Sequence, residues 1–100
     1  MTAMTAKKGY WIALIDVRDQ EIYKKYIEAN AKAFAKYGAK FVVRAGRYEN
    51  PETPTGNRHV VVEFDSYDTA VACYHSPEYQ EASKYRLAGS TGHFVIVEGA

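Results

Sequence analysis

The stretch GYWIALIDV, residues 9–17, decides the fold because its pattern is that of a strand with two apolar faces. Successive side chains of a strand point to opposite sides of the sheet. The two sides carry Tyr10, Ile12 and Leu14 on one face and Trp11, Ala13, Ile15 and Val17 on the other. Either set is too apolar for a face that meets solvent, so the strand must be covered on both sides.

The segment after this strand predicts a long amphipathic helix over residues 20–37. Asp19 can accept hydrogen bonds from the free amides of the first turn, and Gly38 suits the left-handed residue that commonly ends a helix. One side of this helix carries Tyr23, Ile27, Asn30, Phe34 and Tyr37. We therefore expect the helix to lie on one face of a sheet.

The rest of the chain predicts three more strands and a second, broken helical region. Turn-forming residues fill the segment 49–57, and Ser66 and Ser76 are both suited to cap a helix. The expected elements are a strand over 40–48, a strand over 58–65, a helix after Ser66 that breaks near His75, a second helical piece from Pro77 to about Ala88, and a strand over 93–98.

The order β-α-β-β-α-β predicts an α+β, ferredoxin-like domain, in which a four-stranded antiparallel sheet carries both helices on one face. We expect residues 1–8 to form a flexible N-terminal segment and residues 9–100 to form this single domain. The second face of the sheet is left bare. A second copy of the chain can cover it, so the sequence predicts a homodimer that pairs through the sheet face into a dimeric α+β barrel.

Composition excludes several classes of partner. A formal net charge of +1 with mixed signs gives no basic field for nucleic acid, and the stacking surface of an RNA-recognition motif is missing. No segment has the apolar length of a membrane span or a signal peptide, so we expect a cytoplasmic protein that is not bound to a membrane. Cys73 is the single cysteine, which rules out an intrachain disulfide. No ligand spacing predicts a metal site, and no motif predicts a cofactor.

Three polar residues on strands are candidate catalytic groups. Arg44 shares a predicted strand face with Val42, and its guanidinium could hold a carboxylate or enolate in bidentate fashion. The structural alternative is an ion pair between Arg44 and Glu63 on the adjacent strand. His59 and Glu63 have even spacing and project from one face, where a histidine beside a carboxylate can act as a general base.

A second group of residues is expected to line a small pocket between the helices and the sheet. Its members are Tyr26, Asn30, Tyr74, Tyr79 and Arg86. Tyrosines at such positions combine an apolar ring with a polar tip, although a buried tyrosine ordinarily finds a hydrogen-bond partner without any ligand. Arg86 could close the pocket or bind a carboxylate of the partner chain. The alternative is that this group is ordinary core packing.

Several strings of the sequence resemble the bacterial domain of unknown function 1330 family (DUF1330). They are KGYWIA at 8–13, YGAKFVVR at 37–44, VVEF at 61–64, YHSPEYQ at 74–80, Arg86, and VEG at 97–99. The resemblance implies a dimeric α+β barrel, a fold shared with cofactor-free monooxygenases, muconolactone isomerase-like proteins and haem-handling relatives, and it implies no particular activity. Ala39 and Ala45 stand where the family often has glycine, and Asp65 stands where proline commonly precedes the serine, so we expect the second strand and the start of the second helix to be shaped differently here.

Two hypotheses for the function follow. The first is a cofactor-independent enzyme for a small anionic or phenolic molecule, in which Arg44 orients the substrate and His59 or Glu63 moves a proton. The second is a non-enzymatic homodimer that binds a small ligand or acts as an accessory protein, in which Arg44, His59 and Glu63 form only a structural network.

Overall fold

A computed structural model describes residues 7–100. The elements along the chain are β1 (Gly9–Val17), α1 (Gln20–Tyr37), β2 (Lys40–Arg44), β3 (Arg58–Phe64), α2 (Tyr67–His75), α3 (Pro77–Gly89) and β4 (Ser90–Glu98). This order confirms the predicted α+β class, with α2 and α3 as the two pieces of the broken helical region. Of the predicted flexible segment, residues 1–8, all but Lys7 and Lys8 lie outside the described residues.

The four strands form one antiparallel sheet with the order β2-β3-β1-β4, which differs from their order along the chain. The strand β1 lies in the interior of the sheet, where Trp11 pairs with Val62 of β3 and Ile96 of β4. Residues that lie directly opposite each other on neighbouring strands share a face. The face of β1 that carries Trp11 therefore continues across the sheet, and the helices cover this face.

Side chains at the helix ends explain where the helices begin and end. The Asp19 carboxylate accepts a hydrogen bond from the Ile22 amide at 3.0 Å, and Gly38 has a φ of 67°, the left-handed geometry that closes α1. Ser76 accepts from the Tyr79 amide at 3.1 Å and so begins α3 directly after α2. The predicted start and stop signals are thus confirmed at these residues.

Trp11 is the centre of the core between the sheet and the helices. Its side chain is 2% exposed, and its indole Nε1 donates to the carbonyl of Ala70 at 2.9 Å. Aromatic rings surround it with centroid distances of 4.7 Å to Tyr79, 5.1 Å to Phe64, 5.2 Å to Phe94 and 5.4 Å to Phe34. Three of these contacts are edge-to-face and the one with Phe64 is tilted. These rings form the aromatic walls of any pocket in this part of the core.

The opposite side of the sheet, which we call the open face, carries the alternative set of β1 residues. Tyr10, Ile12 and Leu14 are only partly buried there, because no helix or strand of residues 7–100 packs over them. The neighbouring strands add Val61, Val95, Val97 and Val43 to the same face. Val95 is 50% exposed and Val97 is 40% exposed. One chain thus leaves an apolar sheet face uncovered, as predicted.

The second strand is shorter than predicted and is irregular. It ends at Arg44 instead of Tyr48, and its pairing with β3 shifts between Phe41 and Val43, which leaves Val42 outside the regular register. The next residue, Ala45, has a φ of 54°, a left-handed conformation that costs free energy for residues other than glycine. The second strand therefore contains a β-bulge that is followed by a left-handed alanine.

The last strand begins at Ser90, earlier than the predicted His93, because Gly92 pairs with Ile15. Gly92 has a φ of 146°, and a Cβ atom at this position would collide with the Leu14 carbonyl oxygen. Glycine therefore continues the strand here where a larger residue would stop it.

No helix within residues 7–100 is long and apolar enough to cross a bilayer.

Candidate ligand-binding site

A small chamber lies between α1 and the covered face of the sheet, and we call it the inner chamber. Its volume is about 30 Å³. The residues that line it are Trp11, Ala13, Tyr23, Tyr26, Ile27, Asn30, Phe34, Phe41, Arg44, Arg58, Val60, Val62, Arg86 and Phe94. Aromatic and aliphatic walls thus enclose a space into which three arginines and a few polar tips converge, the composition that small-molecule sites commonly have.

Arg86 is the most buried of the three arginines. It is 7% exposed, and its Nε donates to the Tyr79 hydroxyl at 3.2 Å. The guanidinium carbon lies 4.8 Å from the centroid of the Phe94 ring, within the range of a cation–π contact. A guanidinium keeps its charge at every ordinary pH, so α3 holds a permanent positive charge inside the protein.

The Tyr79 hydroxyl links Arg86 to Tyr26. The two phenol oxygens, of Tyr26 and Tyr79, lie 2.8 Å apart. Burial raises the pKa of Tyr26 well above its ordinary value, and burial also raises the pKa of Tyr79 although the charge of Arg86 opposes this. Both hydroxyls therefore keep their protons at neutral pH. Either hydroxyl can be the donor in this pair, and when Tyr79 donates to Tyr26 the Tyr26 proton is left for an acceptor in the chamber.

Arg58 begins β3 on the covered side of the sheet, since it has even spacing with the buried Val62 and Phe64. Its Nε is buried and has no hydrogen-bond partner among the described residues. The guanidinium carbon lies 5.3 Å from the centroid of the Tyr23 ring. Burial raises the pKa of Tyr23, and the nearby positive charge of Arg58 lowers it in part. Arg58 thus offers an unused buried donor to the chamber.

Arg44 lies at the rim of the chamber. It pairs with Val60 of β3, a position of the covered face, because the bulge in β2 reverses the expected alternation. Its guanidinium carbon stacks 4.3 Å from the centroid of the Phe41 ring, and the residue is exposed. Arg44 therefore shares its strand face with Phe41, whereas Val42 lies outside the regular register.

The positive charges around the chamber have no acidic counterpart. Among residues 7–100, none of those that line the chamber is an aspartate or a glutamate. Within the same range, Arg44, Arg58 and Arg86 take part in none of the ion pairs. An unpaired charge in a buried place is costly, and an anion that enters the chamber would remove much of this cost.

His59 and Glu63 lie on the open face, with the sheet between them and Arg44. They pair across the sheet with Leu14 and Tyr10. The Tyr10 hydroxyl donates to Glu63 Oε2 at 3.0 Å, and His59 Nε2 lies 2.8 Å from Thr55 Oγ1 in the loop before β3. The alternative ion pair between Arg44 and Glu63 is therefore wrong. The structure does not bring the three predicted catalytic residues together within one chain, and their catalytic role stays a prediction.

The predicted ligand-binding residues are mostly neighbours. Tyr26, Asn30 and Arg86 line the chamber, and Tyr79 lies one hydrogen bond behind Tyr26. Tyr74 is farther away and packs its ring 6.0 Å from Trp11 and 5.4 Å from Phe94. Four of the five predicted residues thus lie around one space. Their role in ligand binding stays a prediction.

Sequence reasoning missed Arg58 as a member of this site. The signal was present, because Arg58 has even spacing with Val60, Val62 and Phe64 and so belongs to the apolar face of its strand. The side of α1 that is predicted to meet the sheet contains Tyr23 and Phe34, and both residues line the chamber. The described residues include no group of three or more His, Cys, Asp or Glu side chains that could hold a metal ion.

A wider, more open groove adjoins the inner chamber, and we call it the outer groove. Its volume is about 360 Å³. The residues that line it are Val17, Gln20, Tyr23, Lys24, Ile27, Ala45, Asn57 and Arg58. Three of these, Tyr23, Ile27 and Arg58, also line the inner chamber. The two spaces therefore adjoin along these three side chains.

Comparison with solved structures shows the same fold in several bacterial proteins. The crystal structure of RPA0582, a protein of unknown function from Rhodopseudomonas palustris, is 18% identical, with a TM-score of 0.77 over 94% of this chain and 83% of that chain. SnoaB, a cofactor-independent oxygenase from Streptomyces nogalater, is 14% identical, with a TM-score of 0.63 over 95% of both chains.

A dimeric protein of unknown function and ferredoxin-like fold from Bacteroides fragilis is 23% identical, with a TM-score of 0.55 over 91% of this chain and 95% of that chain. At these identities the likeness shows the fold alone. No curated protein shows significant sequence similarity to the chain. The model of the family described as Domain of unknown function (DUF1330) matches residues 8–100, and the chain therefore belongs to that family.

Proposed function

We propose that the protein binds a small anionic molecule, with its acidic group in the inner chamber between Arg58 and Arg86. The observation that carries this proposal is the buried, unpartnered Nε of Arg58 beside the buried guanidinium of Arg86, with no carboxylate among the described residues that line the chamber. A carboxylate or enolate supplies the acceptor oxygens that a guanidinium fits best.

Neutral groups of the chamber define the rest of the ligand. Tyr26 can donate its proton to the bound group, and the Asn30 amide, which is 7% exposed, adds a second polar contact. Tyr23 and Ile27 line both the inner chamber and the adjoining outer groove, so an apolar or planar body next to the acidic group can pack against them. The ligand class is therefore a small, partly apolar acid.

The homodimer through the open face is part of the same proposal. Ile12, Leu14, Val95 and Val97 form an apolar surface there, and burial of about 25 cal/mol per Å² of apolar area favours covering it. The Bacteroides fragilis protein of this fold is dimeric, which supports the proposal of a dimer here. The two inner chambers would then lie on the outer sides of the paired sheets. We also propose that the protein is located in the cytoplasm.

Binding can be followed by fluorescence, because Trp11 is the single tryptophan and lines the chamber. We expect phenylacetate to change this fluorescence saturably, and phenylacetamide, which lacks the charge, to bind at least about tenfold more weakly, which corresponds to 1.4 kcal/mol. Arg58→Met should weaken phenylacetate binding by a similar factor. The matched control is Arg47→Met, because Arg47 is exposed and outside the lining.

Two results would count against the binding proposal. One is equal affinity for the acid and the amide in the wild type. The other is an Arg58→Met variant that keeps full affinity while circular dichroism shows an intact fold. Arg86→Met is a second variant for the buried charge, and its folding must be checked in the same way because Arg86 is 7% exposed.

The second candidate function is the cofactor-independent enzyme. The observation in its favour is the hydrogen-bond chain from Arg86 through Tyr79 to Tyr26, which can stabilise an oxyanion that develops on a bound molecule. SnoaB, of the same fold, is a cofactor-independent oxygenase. No His, Asp, Glu or Cys lines the chamber within residues 7–100, so the substrate would have to enter already ionised.

This candidate is tested with quinols, lactones and unsaturated acids as substrates. Tyr26→Phe and Arg44→Ala should each lose turnover if the chamber is an active site, whereas Arg47→Met should retain it. His59→Ala should leave turnover unchanged, because the sheet separates His59 from the chamber. Turnover that survives Tyr26→Phe would exclude the phenol chain as its source.

A further inference from the structure

The inner chamber and the outer groove differ too much in size to hold the same part of a ligand. The inner chamber has about 30 Å³ and the outer groove has about 360 Å³. A water molecule needs roughly 10–15 Å³ by this measure, and a cavity that takes up a benzene ring has about 150 Å³. The inner chamber therefore accepts an acidic head group alone, and any ring-sized body must lie in the outer groove.

The side chains at the boundary connect the two spaces. Tyr23, Ile27 and Arg58 line both, and the Arg58 guanidinium carbon lies 5.3 Å from the centroid of the Tyr23 ring. A ligand that reaches from one space to the other must pass this pair. Arg58 is thus in position to contact the head group from the inner side while the ring packs beside Tyr23 and Ile27.

Lys24 provides the outer groove with a second positive charge. It is exposed on α1, and among the described residues it takes part in none of the ion pairs. The Asn57 amide is already used, since it accepts from the Val17 amide at 2.8 Å and donates to the Val17 carbonyl at 3.3 Å. None of the residues of the 7–100 range that line the outer groove is acidic. A ligand in the groove therefore meets a free ammonium and no repelling carboxylate.

We propose that the natural ligand is a dianion: one acidic group enters the inner chamber, a ring-sized apolar body lies in the outer groove, and a second acidic group faces Lys24. This inference rests on the proposed binding function and adds the size and the second charge of the ligand. The chemical class is an aromatic or cyclic diacid, and a simple inorganic anion or a monoacid would leave the groove or Lys24 unused.

The test compares 1,4-phenylenediacetate with phenylacetate by Trp11 fluorescence at low ionic strength. Two equivalent carboxylates give the diacid a statistical advantage of twofold. A contact with an exposed lysine adds a factor of about 1.4 to 5, so we expect the diacid to bind about three- to tenfold more tightly. Lys24→Gln should reduce this ratio to the statistical twofold, and added salt should do the same.

Lys25→Gln is the matched control, because Lys25 is an exposed neighbour on α1 outside both linings. It should keep the full preference for the diacid. If both acids bind the wild type with a ratio near two, the dianion inference is overturned and the proposed function stands. An equal ratio of diacid to monoacid affinity in the Lys24→Gln and Lys25→Gln variants would also overturn the dianion inference and leave the proposed function standing. If neither acid binds, the proposed function itself falls, and the dianion inference with it.

Discussion

Tyr79→Phe is expected to destabilise the protein far more than the loss of one hydroxyl usually does. Tyr79 is fully buried, and its hydroxyl bonds to the Tyr26 hydroxyl at 2.8 Å and to Arg86 Nε at 3.2 Å. Phenylalanine fits the same space, so the packing around Trp11 is preserved. The substitution removes both hydrogen bonds while their partners remain buried.

The magnitude follows from what the two partners lose. Tyr26 is 6% exposed and Arg86 is 7% exposed, so water cannot readily replace the Tyr79 hydroxyl. A buried neutral group left without its partner costs about 1–3 kcal/mol, and hydrogen bonds to charged groups contribute about 1.5–3 kcal/mol. We therefore expect a loss of about 2–4 kcal/mol, against a total of about 5–15 kcal/mol for a typical domain. Tyr26→Phe removes one neutral bond only and should cost about 1–2 kcal/mol.

The assay is urea unfolding followed by circular dichroism at a fixed protein concentration, since dimerisation would make the midpoint depend on concentration. Tyr85→Phe is the control, because Tyr85 is 39% exposed on α3. It should stay within about 0.5 kcal/mol of the wild type. If Tyr79→Phe is no more destabilising than Tyr85→Phe, the buried guanidinium does not depend on this hydroxyl, and the polarised chain that we assign to the chamber does not exist.

Three further predictions concern other parts of the chain. Ala45→Gly should stabilise the protein by up to about 1 kcal/mol in urea unfolding, because Ala45 has a φ of 54°, whereas Ala31→Gly at an exposed position in the middle of α1 should destabilise it by about the same amount. Burial raises the pKa of the Cys73 thiol to about 12, so a thiol reagent at pH 8 should label the protein only after unfolding. Ile12→Asp should convert the proposed dimer to a monomer in light scattering, whereas Leu87→Asp, at a position 66% exposed on α3, should leave the proposed dimer intact.

The architecture was predictable from the sequence because its signals are local. Asp19 and Gly38 delimit α1 as expected, and Ser76 with Pro77 begins α3. The apolar alternation of residues 9–17 correctly indicated a strand with two faces to cover. It could not indicate which face the helices take, since both sets are equally apolar and the choice depends on how the helices pack.

The site was predictable only in part, because one extra residue in a strand reverses the side to which every later residue points. No glycine marks the bulge between Phe41 and Val43 in the sequence. Simple alternation therefore puts Arg44 on the face opposite to that of Phe41, whereas the structure has both on the covered face. Arg58 lies in a regular strand, so simple alternation is enough to put it on the apolar face with Val60 and Val62. A charged residue at such a core-facing position is the sequence signal for Arg58.

The sheet separates two kinds of apolar surface, and this separation gives the proposals independent tests. The covered face contributes Arg58 and the walls of the inner chamber, whereas the open face contributes Ile12, Val95 and the other residues of the expected dimer contact. A substitution on the open face changes no residue that lines the chamber. An Ile12→Asp monomer that still binds phenylacetate would therefore show that each protomer contains a complete site. A monomer that stays folded but no longer binds would instead show that pairing of the sheets holds the covered face in its binding geometry.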